Sequence, residues 1–161
     1  MTRLNEYAQT DHQKFVQHFD LEYCRPSTIV DASLYPTLDN LDHLTNSGYK
    51  TTDFFVANAI YEVIYEHRLD VIKYLEKHYM SDPKSFYCNY CFMGIAIMGI
   101  AIRKNNSNMV NHLYRHECPW RCERWGMFGI DSANKEALKT AYNLGCPMEQ
   151  KYIEMMNALW K

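Results

Sequence analysis

Cys88 and Cys91 enclose two residues, His112 and His116 stand one helical turn apart, and Cys118 and Cys122 follow closely. Thiolate and imidazole are the ligands of tetrahedral zinc, which needs four of them converging at roughly 2.0–2.3 Å. Each half of this set has workable local spacing. The gap from Cys91 to His112, however, is longer than in a compact zinc finger and contains the whole apolar segment "CFMGIAIMGIAI". Reduced thiols and surface histidines are the preferred reading, so no metal ligand and no cofactor is assigned. A small zinc-stabilised nucleic-acid-binding protein using Cys88, Cys91, His112 and His116 is the alternative.

Nucleophilic catalysis has less support. No cysteine or serine sits in a recognisable nucleophile turn, and no Gly-rich phosphate loop is present. Glu62, Glu66 and Asp70 recur at helical spacing, the pattern of a solvated face. No catalytic residue is assigned, and the chain reads as non-enzymatic. Binding is better served: "CPWRCERW" gathers Trp120, Arg121, Arg124 and Trp125 in one connection, and Trp and Arg are the residue types that most often anchor interfaces. Tyr49 and Tyr79 occupy related positions elsewhere, which extends the expected partner-binding edge.

What must position these residues follows from composition and pattern. The 161 residues are 47% apolar, enough for a substantial core, and the net charge of −2 supplies no general attraction to a polyanion, which disfavours nucleic acid as a partner. The opening "MTRLNEYAQTDHQKF" has no apolar stretch before a small-residue cleavage site, so an intracellular, non-secreted protein is expected. In that setting six cysteines read as thiols rather than as a disulfide framework. The longest apolar run ends at Arg103 after about a dozen residues, short of the roughly 20 that cross a bilayer as a helix. No membrane insertion is expected, and this run reads as a helix covered on every side.

Four stretches share one pattern, starting at Pro36, His67, Asn105 and Ala133. In each a polar turn precedes a pair (Asn40-Leu41, the weakest, then Val71-Ile72, Met109-Val110, Ala137-Leu138), and three residues later comes Leu44, Leu75, Leu113 or Ala141. That is a helix with one apolar stripe. The steps of 31, 38 and 28 residues scatter around the period of about 33 of ankyrin-type helix pairs. Thr37, Ser107 and Ser132 or Asn134 are the expected caps, and Gly48 and Gly145 the expected left-handed ends. A more apolar segment precedes each stripe: "STIVDASLY", "DFFVANAIYEVIYE", "CFMGIAIMGIAI" and "ERWGMFGID". These are the expected inner helices, with Ala32, Val63, Ala101 and Gly129 at their stacking positions. Residues 1–25 and 151–161 read as capping helices, the first burying Phe15, Val16 and Phe19, the second Tyr152, Met155, Met156 and Leu159.

The stretches "VIKYL" at Val71–Leu75, "HECPW" at His116–Trp120 and "LGCPM" at Leu144–Met148 resemble the degenerate ankyrin repeats of giant and other large DNA viruses. The resemblance covers residues 26–150. No repeat carries Thr-Pro-Leu-His, and the Gly-His turn is replaced by His67-Arg68, Asn105-Asn106 and Ala133-Asn134, which leaves the hairpin fingers of ordinary ankyrins unsupported. The resemblance implies an all-α solenoid of about four helix pairs that binds another protein, either a host factor or a viral structural protein, in host cytoplasm or in the virion.

Overall fold

The computed structural model describes residues 3–89, 91–120 and 134–159. All regular structure among them is helical, with no strand, so the expected all-α class holds. The segment "ERWGMFGID", with Gly129 and Ser132, lies outside the described residues. No helix among the described residues is long and apolar enough to cross a membrane.

The chain divides into two compact units, Met1–Val63 with Asp70–Ser81, and Ile64–Leu69 with Asp82–Lys161. The first contains α1 (Arg3–Thr10), α2 (His12–His18), a 3-10 turn at Leu21–Tyr23, α3 (Thr28–Ser33) and α4 (Asp39–Asn46). It also takes most of α5 (Asp53–Tyr65) and of α6 (Leu69–Tyr79). The second contains α7 (Pro83–Asn89), α8 (Cys91–Arg103), α9 (Ser107–Arg115), α10 (Lys135–Asn143) and α11 (Gln150–Leu159).

These helices run from 6 to 13 residues. Below about 12–15 residues an isolated helix is marginal in water, so buried faces must hold them. The four sequence stripes do this: Leu41 and Leu44, Val71 with Ile72 and Leu75, Met109 with Val110 and Leu113, and Ala137 with Leu138 and Ala141 are all buried. The inner helices differ as expected, because α5 buries Val56, Ala57, Ala59, Ile60 and Val63, and α8 buries Ile97, Met98, Ile100, Ala101 and Ile102. Truncating one of these large side chains to Ala costs about 2–5 kcal/mol.

Two helices lie beyond the sequence pattern. Helix α1 packs on α2 and α3. Helix α7 fills the longest step, 38 residues, and starts at an Asp82 carboxylate that accepts from the amides of Lys84 and Ser85. At the N-terminal end Phe15 is buried and Val16 is exposed; Phe15 and Phe19, one turn apart, share the face that meets His43 of α4, and Val16 points elsewhere. Tyr152 and Met156 are buried on α11 and Met155 is half-buried, while the side chain of Leu159 lies outside the described set.

Polar groups tie neighbouring elements in ways the stripes do not announce. Asn40, in the pair position that elsewhere is apolar, is fully buried. Its amide donates to the Ala8 carbonyl at 2.8 Å, and its oxygen faces His12 Nδ1, which must then carry the proton. The capping residue of α9 is Asn106 rather than Ser107, its side chain accepting from Met109 N at 3.0 Å. Thr37 reaches Asp39 N only at 3.5 Å. Asn134 precedes α10 without capping it and donates to the Arg103 carbonyl at 2.6 Å instead. The free amide of Ala137 is met from the previous turn, by Asn105 Oδ1 at 3.0 Å.

Asn105 thus serves two ends at once, closing α8 with φ +52° and capping α10. Asn105→Ala loses both roles, and is expected to cost about 2–3 kcal/mol from the left-handed penalty and the lost cap together. Asn105→Gly keeps the conformation and loses only the cap, about 1 kcal/mol. Urea midpoints of the two variants separate these contributions, and equal losses would remove the backbone component.

His43 lies edge-on to Phe15 and Phe19, at ring separations of 5.8 and 4.7 Å. Its Nε2 is buried with no hydrogen-bond partner among the described residues. Burial, and then the neighbouring His12, hold its pKa below the ordinary 6.5. As pH falls through that value the unfolded chain takes up the proton first, so stability present above about pH 6.5 is lost toward the folded value. Thermal midpoints between pH 7.5 and 5.5 should fall less in His43→Phe than in the native chain; parallel falls would exclude His43 as the group.

Candidate functional site

Three outer helices end in the same closure. The amide of Tyr49 bonds to the Leu44 carbonyl, that of Cys118 to Leu113, and that of Cys146 to Ala141, at 3.0–3.1 Å. The residue before each is left-handed: Gly48 at +75°, Glu117 at +55° and Gly145 at +82°. This is a Schellman motif, which joins a buried residue of the last turn to a buried residue just past it. Both members are buried in all three cases. The closure sends the chain into connections where the expected partner-binding residues lie.

The first connection, with the end of α6, encloses a cavity of about 220 Å³ lined by Thr45, Tyr49, Lys50, Thr51, His78 and Tyr79. Two of the expected site residues, Tyr49 and Tyr79, are therefore brought together. The Tyr49 hydroxyl is turned away to the carbonyls of Arg25 and Pro26, at 2.9 and 2.7 Å; burial pushes its pKa up to about 12. Thr45 Oγ1 accepts from the Tyr74 hydroxyl at 3.0 Å and lies 3.0 Å from that of Tyr79, to which it can pass its own proton, leaving the Tyr79 O–H free to turn outward. Burial raises the Tyr79 phenol, and lifts Tyr74 to about 12. His78 stacks on Tyr74 at 4.3 Å, 25° from parallel.

A second cavity, about 470 Å³, occupies the same position of the sequence repeat after α9, lined by Tyr114, Arg115, Glu117, Cys118, Pro119 and Trp120. Trp120 is half-buried with its ring 5.7 Å from that of the exposed Tyr114. Glu117 pairs with Lys84 of α7 at 2.7 Å. Arg121, Arg124 and Trp125 lie outside the described residues.

The thiols behave as parts of the closures. Burial first, and then the nearby Cys88, push Cys118 up to about 12, which withholds the thiolate that reactivity requires. Of the zinc set, His112 on α9 and His116, the residue just past its end, face each other with ring centroids 4.8 Å apart. Cys88 is exposed, and the described residues bring no three of Cys88, His112, His116 and Cys118 within metal-ligand range; the Cys91 side chain lies outside them.

Thr45, Tyr74, Lys50 and His78 on one side, and Tyr114 and Arg115 on the other, were not foreseen. Tyr74 and His78 had a visible signal in their one-turn spacing. Nothing in the sequence paired Thr45 with α6. No protein-family model, curated protein or solved structure matches the chain.

Thr45→Val removes the partner shared by two half-buried hydroxyls and is expected to cost about 1–3 kcal/mol, against about 0.5–1.5 kcal/mol for Tyr79→Phe, which leaves Tyr74 bonded. Equal urea midpoints for the two variants would contradict the shared hydroxyl.

Proposed function

We propose that the chain is a non-enzymatic protein-interaction module built from ankyrin-like helix pairs, of the type carried by large DNA viruses, with its binding edge at the ends of the outer helices. The observation that carries this reading is the recurrence of one closure at Tyr49, Cys118 and Cys146, two of them opening onto cavities walled by aromatic side chains. Repeated helix ends give a partner equivalent contact points, and Trp, Tyr and Arg at such points are the usual anchors of protein interfaces. Trp120 and Tyr114 form one anchor; Arg121, Arg124 and Trp125, which follow in the sequence, belong to the same reading. Helical caps at residues 1–25 and 151–161 would close the stack.

Two biological roles fit, an adaptor that engages a host factor and a small virion component that joins larger proteins. Capture of partners on the tagged chain from its native cells separates them, since host proteins in the eluate mean the first and capsid proteins the second. The double variant Tyr114→Ala, Trp120→Ala should keep its helical circular dichroism, because Tyr114 is exposed, and lose the captured partner at least tenfold. Capture that survives both substitutions would remove this edge from the interface. The second reading, a zinc-stabilised nucleic-acid binder, draws on the His112–His116 pair; one zinc per chain together with bound nucleic acid in the same eluate would favour it instead.

A further inference from the structure

The cavity at the ends of α4 and α6 has a chemistry of its own. At about 220 Å³ it falls below the roughly 300–1,000 Å³ of sites that enclose a cofactor or a drug-sized ligand. It suits a single side chain. Its lining contains Lys50 and His78 and no carboxylate. Lys50 is exposed and makes no ion pair among the described residues.

The donors divide cleanly. Thr51 spends its hydroxyl on the Pro26 carbonyl at 2.7 Å, and Tyr49 spends its own on the same carbonyl and that of Arg25. What remains to face an occupant is the Lys50 ammonium, the His78 imidazole, oriented by its stack on Tyr74, and the Tyr79 hydroxyl beside Thr45. This is a set of donors with positive charge, and it asks for a small acceptor with negative charge. Helix C-termini repel anions, but here the Leu44 and Thr45 carbonyls of α4 are already taken by the amides of Tyr49 and Gly48. The same helix ends favour the basic groups that sit beside them.

We infer that this pocket receives an aspartate or glutamate side chain of a partner protein, held by Lys50, His78 and the Tyr79 hydroxyl. The inference rests on the interaction reading above and names the residue type its partner must present. A carboxylate accepts several charge-assisted hydrogen bonds at roughly 2.7–2.9 Å, which three converging donors can supply. The charge complement also sets specificity, since a basic side chain in the same place would meet Lys50.

The test uses a random-peptide phage library panned on the full chain, on Lys50→Glu and on Trp120→Ala. The native chain should enrich peptides with Asp or Glu at a fixed position. A synthetic copy of one should bind roughly tenfold more weakly to Lys50→Glu and to His78→Gln, about 1.4 kcal/mol, with helical signal unchanged because Lys50 is exposed. Replacing the peptide's acid by its amide should cause the same loss in the native chain and none further in Lys50→Glu. Enriched peptides without an acidic residue, undiminished binding to Lys50→Glu, or displacement of the peptide by a short single-stranded DNA would overturn the carboxylate pocket. Peptides lost only in Trp120→Ala would overturn it while leaving the interaction reading intact; retention of no peptide at all would count against both.

Discussion

The bond from the residue just past a helix back to the last turn, made at Tyr49, Cys118 and Cys146, is the constraint on which the arrangement depends. It has one geometric requirement, a left-handed residue between, and one apolar requirement, two buried side chains that touch. Where Gly48 and Gly145 meet the first requirement the conformational cost is small. Glu117 meets it at a cost of about 1–2 kcal/mol, and its carboxylate is used for the exposed pair with Lys84, which solvent screens. The buried Leu113–Cys118 pair must therefore provide most of the compensation. The direction of the following connection, and with it the position of Trp120, follows from a contact made inside.

That division explains why Cys118 and Cys146 are cysteines in loops without being reactive ones. The site past the helix admits a small side chain that tolerates burial, and free cysteine is among the most often buried residue types. At the corresponding position after α4 a tyrosine fits instead, because its hydroxyl can reach the Arg25 and Pro26 carbonyls. One backbone motif thus accepts a buried thiol and, where its hydroxyl has carbonyls to reach, a phenol.

Much of this was legible in the sequence, for a physical reason. Stripes and apolar runs report burial, and burial is what holds short helices, so α3 to α6 and α8 to α10 could be placed from pattern alone. Helix α1, "RLNEYAQT", has almost no apolar signal, because it is secured through Ala8 and through the polar link from Asn40. Helix α7 was hidden in the longest step of the sequence repeat, where no apolar stripe announces a helix. The caps failed by one residue at Ser107, since Asn106 and Ser107 are both competent oxygens and only backbone geometry chooses between them. In the candidate site Tyr49 and Tyr79 were visible as repeat ends, whereas Thr45, Lys50 and His78 acquire meaning only when α4 and α6 come together.

The asparagines show the same limit from the other side. Asn40 occupies a position where the sequence repeat otherwise has Val71, Met109 or Ala137, and from sequence alone that makes it the weakest stripe. Removing an amide from water without partners costs roughly 1–3 kcal/mol in a protein. Its bonds to Ala8 and His12 offset that cost only if the neighbour is α1 with α2, and no apolar surface supplies those groups. A valine there would accept any apolar face; the asparagine accepts one. Asn105 and Asn134 apply the same logic between α8 and α10, where each answers a helix-end group that packing alone leaves unsatisfied. The apolar stripes make these helices stick, and the amides decide to which neighbour and in which register.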